Sequence, residues 1–344
     1  MTWELAGLGN ALIDALVVLE DDTLIEELGL VRGTMHPVDH HRWQEVYERV
    51  RRRKVTFDSG GSCANTIATL GYLGARATYC GQVGEDQMGQ MYASALTEAC
   101  GTHALQWSDD RHTGKCLSII SAADAERTML TDLGAAVSLP SLGDFAGILA
   151  DTRVAHFTGY TLLDGPMRQV VMEAMHVAHE AGAIVSIDAA DPFVVRAVRE
   201  ILWNLLRDYA SIVFLNADEA EVLTGLPPEE AAPEIAERGQ VDTVVVKLGA
   251  RGSLVLEDGR LHKVGIRPVK ALDTTGAGDA YAGGYLYGVV QGWTPADCAR
   301  LAASVAALTV AQVGAVVKDR AALAELVREV REGDVPDALA QVGA

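Results

Sequence analysis

The segment Asp273-Thr274-Thr275-Gly276-Ala277-Gly278-Asp279-Ala280-Tyr281-Ala282-Gly283-Gly284 carries the strongest structural signal in the chain. It predicts a strand, a glycine turn and the first turn of a helix. Glycines let the backbone approach a ligand closely, and the first helical turn leaves N–H groups without carbonyl partners. The amides of Gly276, Ala277 and Gly278 therefore predict an anion site, with the Asp279 carboxylate in the same turn.

This pairing of amides with a carboxylate indicates a particular chemistry. A phosphoryl group bound on the amides would have its developing charge stabilised by fixed dipoles, while Asp279 accepts the proton of an attacking alcohol. We therefore expect phosphoryl transfer to a hydroxyl group. The alternative interpretation is a tight turn in which Asp279 only caps the helix.

A second glycine-rich segment, Gly60-Gly61-Ser62-Cys63-Ala64-Asn65, lies far upstream. This segment and the one ending at Asp279 resemble, in the right order, the N- and C-terminal signatures of the PfkB (ribokinase-like) carbohydrate kinases. The resemblance implies that Gly60, Gly61 and Asn65 contact the substrate. It also implies that Asp279 is the catalytic base.

The opening segment Gly9-Asn10-Ala11-Leu12-Ile13-Asp14 narrows the resemblance to adenosine kinases and related nucleoside kinases of that family. Asn10 and Asp14 are then expected to bind substrate, and the Asp14 carboxylate to accept both hydroxyls of a ribose-like diol. Gly7-Leu8-Gly9 by itself is weak evidence for a dinucleotide fold, because no third glycine follows. The alternative for Asp14 is a turn residue at a strand end.

Beyond residue 150, apolar runs alternate with amphipathic stretches, as in parallel strands joined by helices. The runs cover 154–157, 183–187, 212–215 and 244–246. The fold class predicted is therefore α/β, a doubly wound and mostly parallel sheet. Ligands of such sheets lie beyond the carboxyl ends of the strands. Tyr160 follows one of these ends, where related adenosine kinases stack an aromatic ring on the nucleobase; the alternative is a ring that covers the sheet edge.

The resemblance also implies a site for ATP and Mg²⁺. Glu219 lies three residues after Asn216 on a first helical turn and is expected to hold magnesium through water; the alternative is simple N-capping by Asn216. Lys247 stands where many family members have Thr, which leaves its phosphate contact open. A potassium ion, held in many members by carbonyls near 273–275 and 313, has no side-chain signature here. The expected nucleotide-binding residues are Asn216, Lys247, Gly249, Gly252, Thr274, Thr275 and Gln312.

Charge and composition exclude several classes of partner. The net charge of −19 repels nucleic acids and anionic membranes. The five cysteines show neither zinc-site nor disulfide spacing, and no signal peptide is recognisable, so we expect a cytoplasmic protein. His40, His41 and the basic run at 51–54 are interpreted as a solvated helix end.

We expect one discontinuous core over residues 1–344 and a small β-sheet lid formed from about 15–37 and 103–134. The predicted function is ATP-dependent phosphorylation of a primary hydroxyl of a ribonucleoside such as adenosine. One alternative is a free-sugar kinase of the ribokinase, fructokinase or ketodeoxygluconate kinase type, which shares every catalytic residue. Another is a non-catalytic sugar or nucleotide sensor, against which the intact Asp279 argues. A partner subunit covering an exposed lid edge would make a homodimer.

Overall fold

The computed structural model describes residues 2–124, 126–163 and 165–335. Residue 125, within the range expected for the lid, lies outside the described residues. The strands are β1 Trp3–Leu8, β2 Leu12–Leu19, β3 Met35–Pro37, β4 Val55–Gly60, β5 Ala77–Cys80, β6 Gln82–Gly84, β7 Gln106–Ser108, β8 Gly114–Ser121, β9 Arg127–Asp132, β10 Thr152–Thr158, β11 Ile184–Asp188, β12 Ile212–Asn216, β13 Thr243–Lys247, β14 Ser253–Glu257 and β15 Arg260–Val264. The helices are α1 Thr23–Glu27, α2 His40–Val50, α3 Ser62–Tyr72, α4 Gln87–Cys100, α5 Phe145–Ala150, α6 Pro166–Glu180, α7 Pro192–Tyr209, α8 Ala217–Thr224, α9 Pro228–Gly239, α10 Ala277–Val290, α11 Pro295–Val310 and α12 Arg320–Glu332, with 3₁₀ turns at Gly134–Val137, Gly159–Leu162 and Gly249–Arg251.

The larger sheet has eight strands in the order β15-β14-β13-β12-β11-β10-β1-β5. Its strands are parallel from β13 to β5, and β14 and β15 add an antiparallel edge. Helices cover both faces, so strands such as β13 are apolar along most of their length and buried. This confirms the predicted fold class.

The order of strands also locates the site. The chain passes from β1 to β5 on one side of β1 and returns to β10 on the other, so the strand order reverses at β1. In open α/β sheets the crevice at such a reversal, beyond the carboxyl ends of the strands, is where ligands bind.

The smaller sheet has the order β3-β9-β8-β2-β4. The strands of this sheet differ from the segments expected to form the lid. The sheet includes β4, which lies outside those segments, whereas β7, which lies inside them, pairs with β6 in a separate two-stranded sheet. Helices α1 and α2 cover one face, where Trp43 is buried with Leu117 and Ile119. Side chains alternate along a strand, so Asp14 lies on the opposite face of β2 from Ala15 and Val17.

The segment before α10 differs from the sequence prediction. A strand was expected to lead into the glycine turn, but β15 ends at Val264 and residues 265–276 form no strand. Hydrogen bonds from Leu272 N and Asp273 N to Val310 O, at 2.7 and 3.3 Å, hold this segment against the end of α11 instead.

Candidate active site

The helix that carries Asp279 begins at Ala277 and has Gly276 as its N-cap. Gly276 has φ of +70°, and a Cβ added there would lie 2.5 Å from the Ala315 Cβ, so only glycine fits. Ala277 N donates to Thr274 O at 3.3 Å. Helix geometry leaves the next N–H groups, those of Gly278 and Asp279, without carbonyl partners in the helix. They form the anion-binding end of α10.

The carboxylate of Asp279 is held from both sides by α3. Ser62 Oγ donates to Asp279 Oδ1 at 2.7 Å, and Asn65 Nδ2 donates to Oδ2 at 2.9 Å. Burial raises the pKa of Asp279 above its usual value, although these two bonds oppose the shift. Asn65 was predicted to contact substrate, and in the structure its side-chain amide donates a hydrogen bond to Asp279, the expected catalytic base. Ser62 was not predicted, although it lies between the predicted Gly61 and Asn65.

A buried ion pair lies beside this helix end. Lys247, the last residue of β13, places Nζ 2.7 Å from Oδ2 of Asp188, the last residue of β11. A Cβ at Gly278 would lie 3.2 Å from Lys247 Nζ, so the ammonium group adjoins the anion-binding amides. Burial alone would lower the pKa of Lys247, but Asp188 and Glu219 outweigh it and raise the pKa. Lys247 is therefore a cation in position to meet phosphate.

Asn216 and Glu219 form a reciprocal cap at the start of α8. Asn216 Oδ1 accepts from Glu219 N at 2.8 Å, while Glu219 Oε2 accepts from Asn216 N at 2.7 Å and Oε1 from Asn216 Nδ2 at 2.5 Å. The N-capping alternative is thus realised in the structure. Burial, opposed by Lys247 and reinforced by Asp188, raises the pKa of Glu219 to about 7. The magnesium role of Glu219 stays a prediction.

Asp14 lies opposite Asp58 in the ladder between β2 and β4. Burial is the largest cause that raises its pKa, to about 7; Asp58 and Asp279 add to the shift, and Arg127 opposes it. Asp14 adjoins Gly60, and Asp279 accepts from Ser62 two residues later, so the two predicted residues flank one segment of the chain. A Cβ at Gly60 would lie 2.3 Å from Asp14 Oδ2, which explains the glycine.

Two other predicted substrate residues shape the backbone beside Asp14. Gly61 has φ of +91°, and a Cβ there would lie 2.2 Å from Asn10 O. The Asn10 side chain donates through Nδ2 to Ala136 O at 3.0 Å. These contacts hold the start of β2 against α3, and they leave the substrate contacts of Asn10 and Gly61 as predictions.

Arg127 of β9 connects the smaller sheet to the loop before α10. Its Nη1 donates to Thr275 Oγ1, and Asp273 Oδ1 accepts from Thr275 N at 2.9 Å. Asp273 Oδ2 also accepts from Gly314 N at 3.1 Å, which ties together the two loops implied for potassium. Burial raises the pKa of Asp273, but the bonds from Thr275 and Gly314 outweigh it and hold the pKa below its usual range.

The remaining predicted residues border the site. Tyr160 lies in the 3₁₀ turn after β10 and is 39% exposed. Burial raises the pKa of the Tyr160 hydroxyl, and the charges of Asp191 and Asp279 add to the shift. Gln312 uses its amide within its own loop, with Nε2 donating to Val316 O at 2.9 Å.

Gly249 and Gly252 frame the turn after β13. Their φ angles are +59° and +88°, and a Cβ at Gly252 would lie 2.0 Å from Val264 O. Both residues therefore need to be glycine for the turn itself. Their nucleotide contacts stay predictions.

The structure thus brings a base with a fixed orientation, free helix amides and a paired cation to the carboxyl end of one parallel sheet. These are the parts needed to hold a phosphoryl group and deprotonate an alcohol. Fold and site together define a phosphotransferase acting on a hydroxyl group of a small molecule.

Comparison with known proteins identifies the family. Residues 34–321 match the model for the pfkB family of carbohydrate kinases, and the chain belongs to this family. It is a kinase that acts on sugar or nucleoside hydroxyls, and such kinases generally use ATP with a divalent metal ion. The sensor interpretation is thereby set aside.

The relatives divide between two substrate types. The crystal structure of adenosine kinase from Sinorhizobium meliloti is 30% identical, with a TM-score of 0.86 over 96% of this chain and 99% of that one. The 5-dehydro-2-deoxygluconokinase of Bacillus velezensis is 27% identical over 72% of this chain and 78% of its own length. The adenosine kinase of Saccharomyces cerevisiae is 26% identical over 74% and 78%. Among the helices described here, none is both long and apolar enough to cross a membrane.

Proposed function

We propose that the protein transfers the γ-phosphoryl group of ATP to the primary hydroxyl of a ribonucleoside of the adenosine type. The observation that carries this proposal is the environment of Asp14. Burial and Asp58 raise the pKa of Asp14 to about 7 even though Arg127 is near. An anionic substrate beside this carboxyl group would raise its pKa further, whereas a neutral diol that donates hydrogen bonds stabilises its charged form.

The same environment argues against a sugar acid of the gluconate type. Its carboxylate would lie beside Asp14 and Asp58. Lys318 already pairs with Asp58 at 3.1 Å, and Arg127, which donates to the neutral Thr275 hydroxyl, is the cation left to offset that charge. Binding a second anion beside Asp14 and Asp58 would also raise the cost of ionising Asp14. A ribose diol instead donates two hydroxyls to the carboxylate and favours its charged form.

Tyr160 supports a nucleoside over a bare sugar. Its ring is 39% exposed at the border of the site, and a nucleobase offers a flat face for such a ring to cover. The adenosine kinases among the relatives agree with this assignment.

We assign the catalytic steps as follows. Asp14 and Asn10 orient the ribose, and Asp279, fixed by Ser62 and Asn65, accepts the proton of the primary hydroxyl. The amides at the start of α10 and the Lys247 ammonium receive the charge that develops on the transferred phosphoryl group. Because these groups are already oriented, little reorganisation accompanies the transfer.

The nucleotide is assigned to the edge lined by β12, β13 and the loops before α10. We assign Thr274, Thr275, Gln312, Gly249 and Gly252 to its binding. Mg²⁺ prefers oxygen ligands. Glu219, whose two oxygens accept from Asn216, and Asp188, whose Oδ2 pairs with Lys247, would hold it through bound water. When bound, Mg²⁺ neutralises phosphate charge.

Glu219→Gln tests the assignment of Glu219 to Mg²⁺ separately from the phosphoryl-transfer step. The substitution keeps the shape of the cap but removes a charge, so the Mg²⁺ concentration that gives half-maximal rate should rise and extra Mg²⁺ should restore part of the activity. An unchanged Mg²⁺ titration, whatever the rate, would assign Glu219 to the helix cap alone.

The decisive test is a substrate panel. ATP consumption is measured with adenosine, inosine, guanosine, cytidine, ribose, fructose, ketodeoxygluconate and 5-dehydro-2-deoxygluconate. We expect the highest kcat/KM for a purine nucleoside and a marked loss of it in Tyr160→Ala. If a free sugar or sugar acid gives the highest kcat/KM and every nucleoside stays at background, the nucleoside assignment fails.

A free-sugar kinase is the second candidate. It is favoured by the 5-dehydro-2-deoxygluconokinases among the relatives, and it needs the same base and anion site. In that case Tyr160→Ala should leave kcat/KM for the sugar nearly unchanged, since the ring would only pack against the sheet edge.

Potassium binding is a further proposal for the two loops joined by Asp273. The bond from Gly314 N to Asp273 Oδ2 joins these loops, and Ala315 packs against Gly276 at the start of α10. Replacing K⁺ by a bulky organic cation at constant ionic strength should lower kcat if the ion is used. Equal rates in both salts would remove potassium from the site.

The smaller sheet is proposed as a lid over the substrate and as a dimer contact. Its edge strands are β3 and β4. Sedimentation of the purified protein distinguishes a homodimer from a monomer, and a charged substitution at Met35, which is 44% exposed on β3, should weaken the dimer if this edge is used.

A further inference from the structure

Four side chains outside the active site meet where the smaller sheet leaves the core, and we call them the junction cluster: His40, His112, Lys115 and Asp132. Asp132 Oδ2 lies 2.7 Å from His112 Nε2, 3.1 Å from Lys115 Nζ and 3.3 Å from His40 Nδ1. Lys115 Nζ lies 2.9 Å from His40 Nδ1. The four residues come from α2, the loop before β8, β8 itself and the end of β9.

The contacts define what each atom presents to the centre of the cluster. A lysine ammonium group only donates, so His40 Nδ1 must accept from Lys115 and directs its lone pair at the ammonium. Asp132 Oδ2 is the ion-pair partner of the same group, at 3.1 Å. A positive charge is thus held between an imidazole lone pair and a carboxylate oxygen, which is how proteins hold zinc.

In the junction cluster, a single carboxylate oxygen, Asp132 Oδ2, lies close to several nitrogen atoms. Three nitrogens approach Asp132 Oδ2, while Asp132 Oδ1 accepts from Gly134 N at 3.2 Å. A metal ion at the centre would instead take one bond from each side chain. Tetrahedral ligands with bonds of about 2.0–2.1 Å lie roughly 3.3 Å apart. The His40–Asp132 separation already has this value, and the His112–Asp132 separation of 2.7 Å would need to lengthen by about 0.6 Å.

Exposure allows this movement. The side chains of His40 and His112 are 41% and 32% exposed, and their ring centroids lie 4.0 Å apart. Asp132 and Lys115 are nearly buried, at 7% and 4%. The two imidazoles therefore form an accessible rim over a fixed carboxylate.

We propose that His40, His112 and Asp132 form a binding site for a divalent transition metal ion of the zinc type, with Lys115 as the competing cation. Two imidazole nitrogens and one carboxylate oxygen suit Zn²⁺, Co²⁺ or Ni²⁺ and do not suit Mg²⁺ or Ca²⁺, which prefer oxygen ligands. This site is separate from the Mg²⁺ site assigned to Asp188 and Glu219.

A bound ion would connect the smaller sheet to the core. His112 precedes Thr113, whose N and Oγ1 both bond to the Asp86 carboxylate at 2.7 Å, at the start of α4 in the core. His40 belongs to α2, which packs on the smaller sheet. Metal binding would thus fasten α2 to an anchored loop of the core.

Metal titration of the whole protein tests the site. Protein freed of metal with a chelator is titrated with Co²⁺, read by visible absorption, and with Zn²⁺ in competition with a chromogenic chelator, both without nucleotide. We expect one equivalent that disappears in His40→Asn and in His112→Asn. His41→Asn, at the exposed neighbouring position, is the matched control and should keep it.

Lys115→Met provides the opposite variant. It keeps an apolar stem near Trp43, whose ring centroid is 5.0 Å from Lys115 Nζ, and removes the competing charge. Affinity for Zn²⁺ should then rise at least tenfold. The proposal is overturned if both histidine variants keep the full equivalent, or if Lys115→Met binds no more tightly than the wild type. Circular dichroism of every variant confirms that the fold is retained before titration.

Discussion

At the scale of single residues, the site depends on carboxyl groups held in different environments. Asp279 is buried, yet it accepts hydrogen bonds from Ser62 and Asn65 that favour its charged form. Asp14 has a second carboxylate, Asp58, opposite it in the sheet and keeps a pKa of about 7. The first group suits a base, and the second suits recognition of a substrate that donates hydrogen bonds.

Asp279→Asn removes the base and keeps the shape of the side chain. Because a positioned proton acceptor contributes about 10²–10⁴ in rate, kcat should fall by that factor while ATP binding changes little. Steady-state kinetics and an ATP binding titration measure the two quantities. Asp242→Asn, at an exposed position, is the control. Near-normal turnover in Asp279→Asn would remove this residue from the mechanism.

Asp14→Ala should affect the acceptor substrate and spare ATP. The variant loses a charged group that accepts hydrogen bonds from two substrate hydroxyls. The value of kcat/KM for the phosphoryl-acceptor substrate should fall by a factor equivalent to about 2–4 kcal/mol, while KM for ATP stays close to the wild-type value. Initial rates with each substrate varied in turn give both values. Equal damage to both substrates would mean that Asp14 has a structural role only.

At the scale of elements, α3 and α10 form the catalytic unit, because the base on α10 is oriented by two side chains of α3. Thr66 of α3 adds a third contact, with Oγ1 donating to the Asp279 main-chain oxygen at 3.2 Å. Contacts of this kind join residues more than two hundred positions apart and have no local sequence signature.

Ser62→Ala tests this connection between helices. The Ser62 hydroxyl lowers the pKa of Asp279, so its removal should raise that pKa further and move the acid limb of the kcat profile to higher pH. The pH dependence of kcat in wild type and variant measures the shift. Ser94→Ala, at an exposed position of α4, is the control and should leave the profile unmoved. A lower kcat with an unmoved acid limb would show that Ser62 only supports packing.

The sequence was informative where the signal is local and less informative where it is not. Apolar runs predicted the parallel strands because burial on both faces demands them, and the glycines before Asp279 predicted the helix start. The contact of Arg127 with Thr275 and the pairing of Lys247 with Asp188 needed the folded chain. The metal-type arrangement around Asp132 was missed because His40 and His112 are separated by strands and helices, so His40 was interpreted as part of a solvated helix end.

At the scale of the whole molecule, buried groups of the core and of the active site titrate in the same pH range, so both the stability and the activity of the protein depend on pH there. His156 of β10 is completely buried, with Nδ1 3.0 Å from Ser186 Oγ, and burial lowers its pKa to about 4. Asp14 and Glu219 have pKa values raised to about 7. The depressed histidine and the raised carboxyls therefore act in opposite directions on stability between about pH 4 and 7.

The sign for each group follows from linkage. Below about pH 6.5 the unfolded chain protonates His156 and the folded chain does not, so His156 makes the free energy of unfolding fall as pH drops from about 6.5 to 4. A raised carboxyl stabilises the fold below its unfolded pKa, and this contribution is lost as pH rises towards 7. The pH dependence of the free energy of unfolding of the wild type is the sum of the histidine and carboxyl contributions, so it does not separate them.

His156→Asn isolates the histidine contribution to stability. The substitution keeps a polar side chain but removes the titration, and its cavity costs about the same at every pH. The free energy of unfolding of the variant, relative to wild type, should therefore improve as pH falls from about 6.5 to 4, by an amount of order 3 kcal/mol over the full window. Urea unfolding of both proteins across this range gives the difference directly. A difference that stays constant with pH would mean that the pKa of His156 is the same in the folded and the unfolded protein.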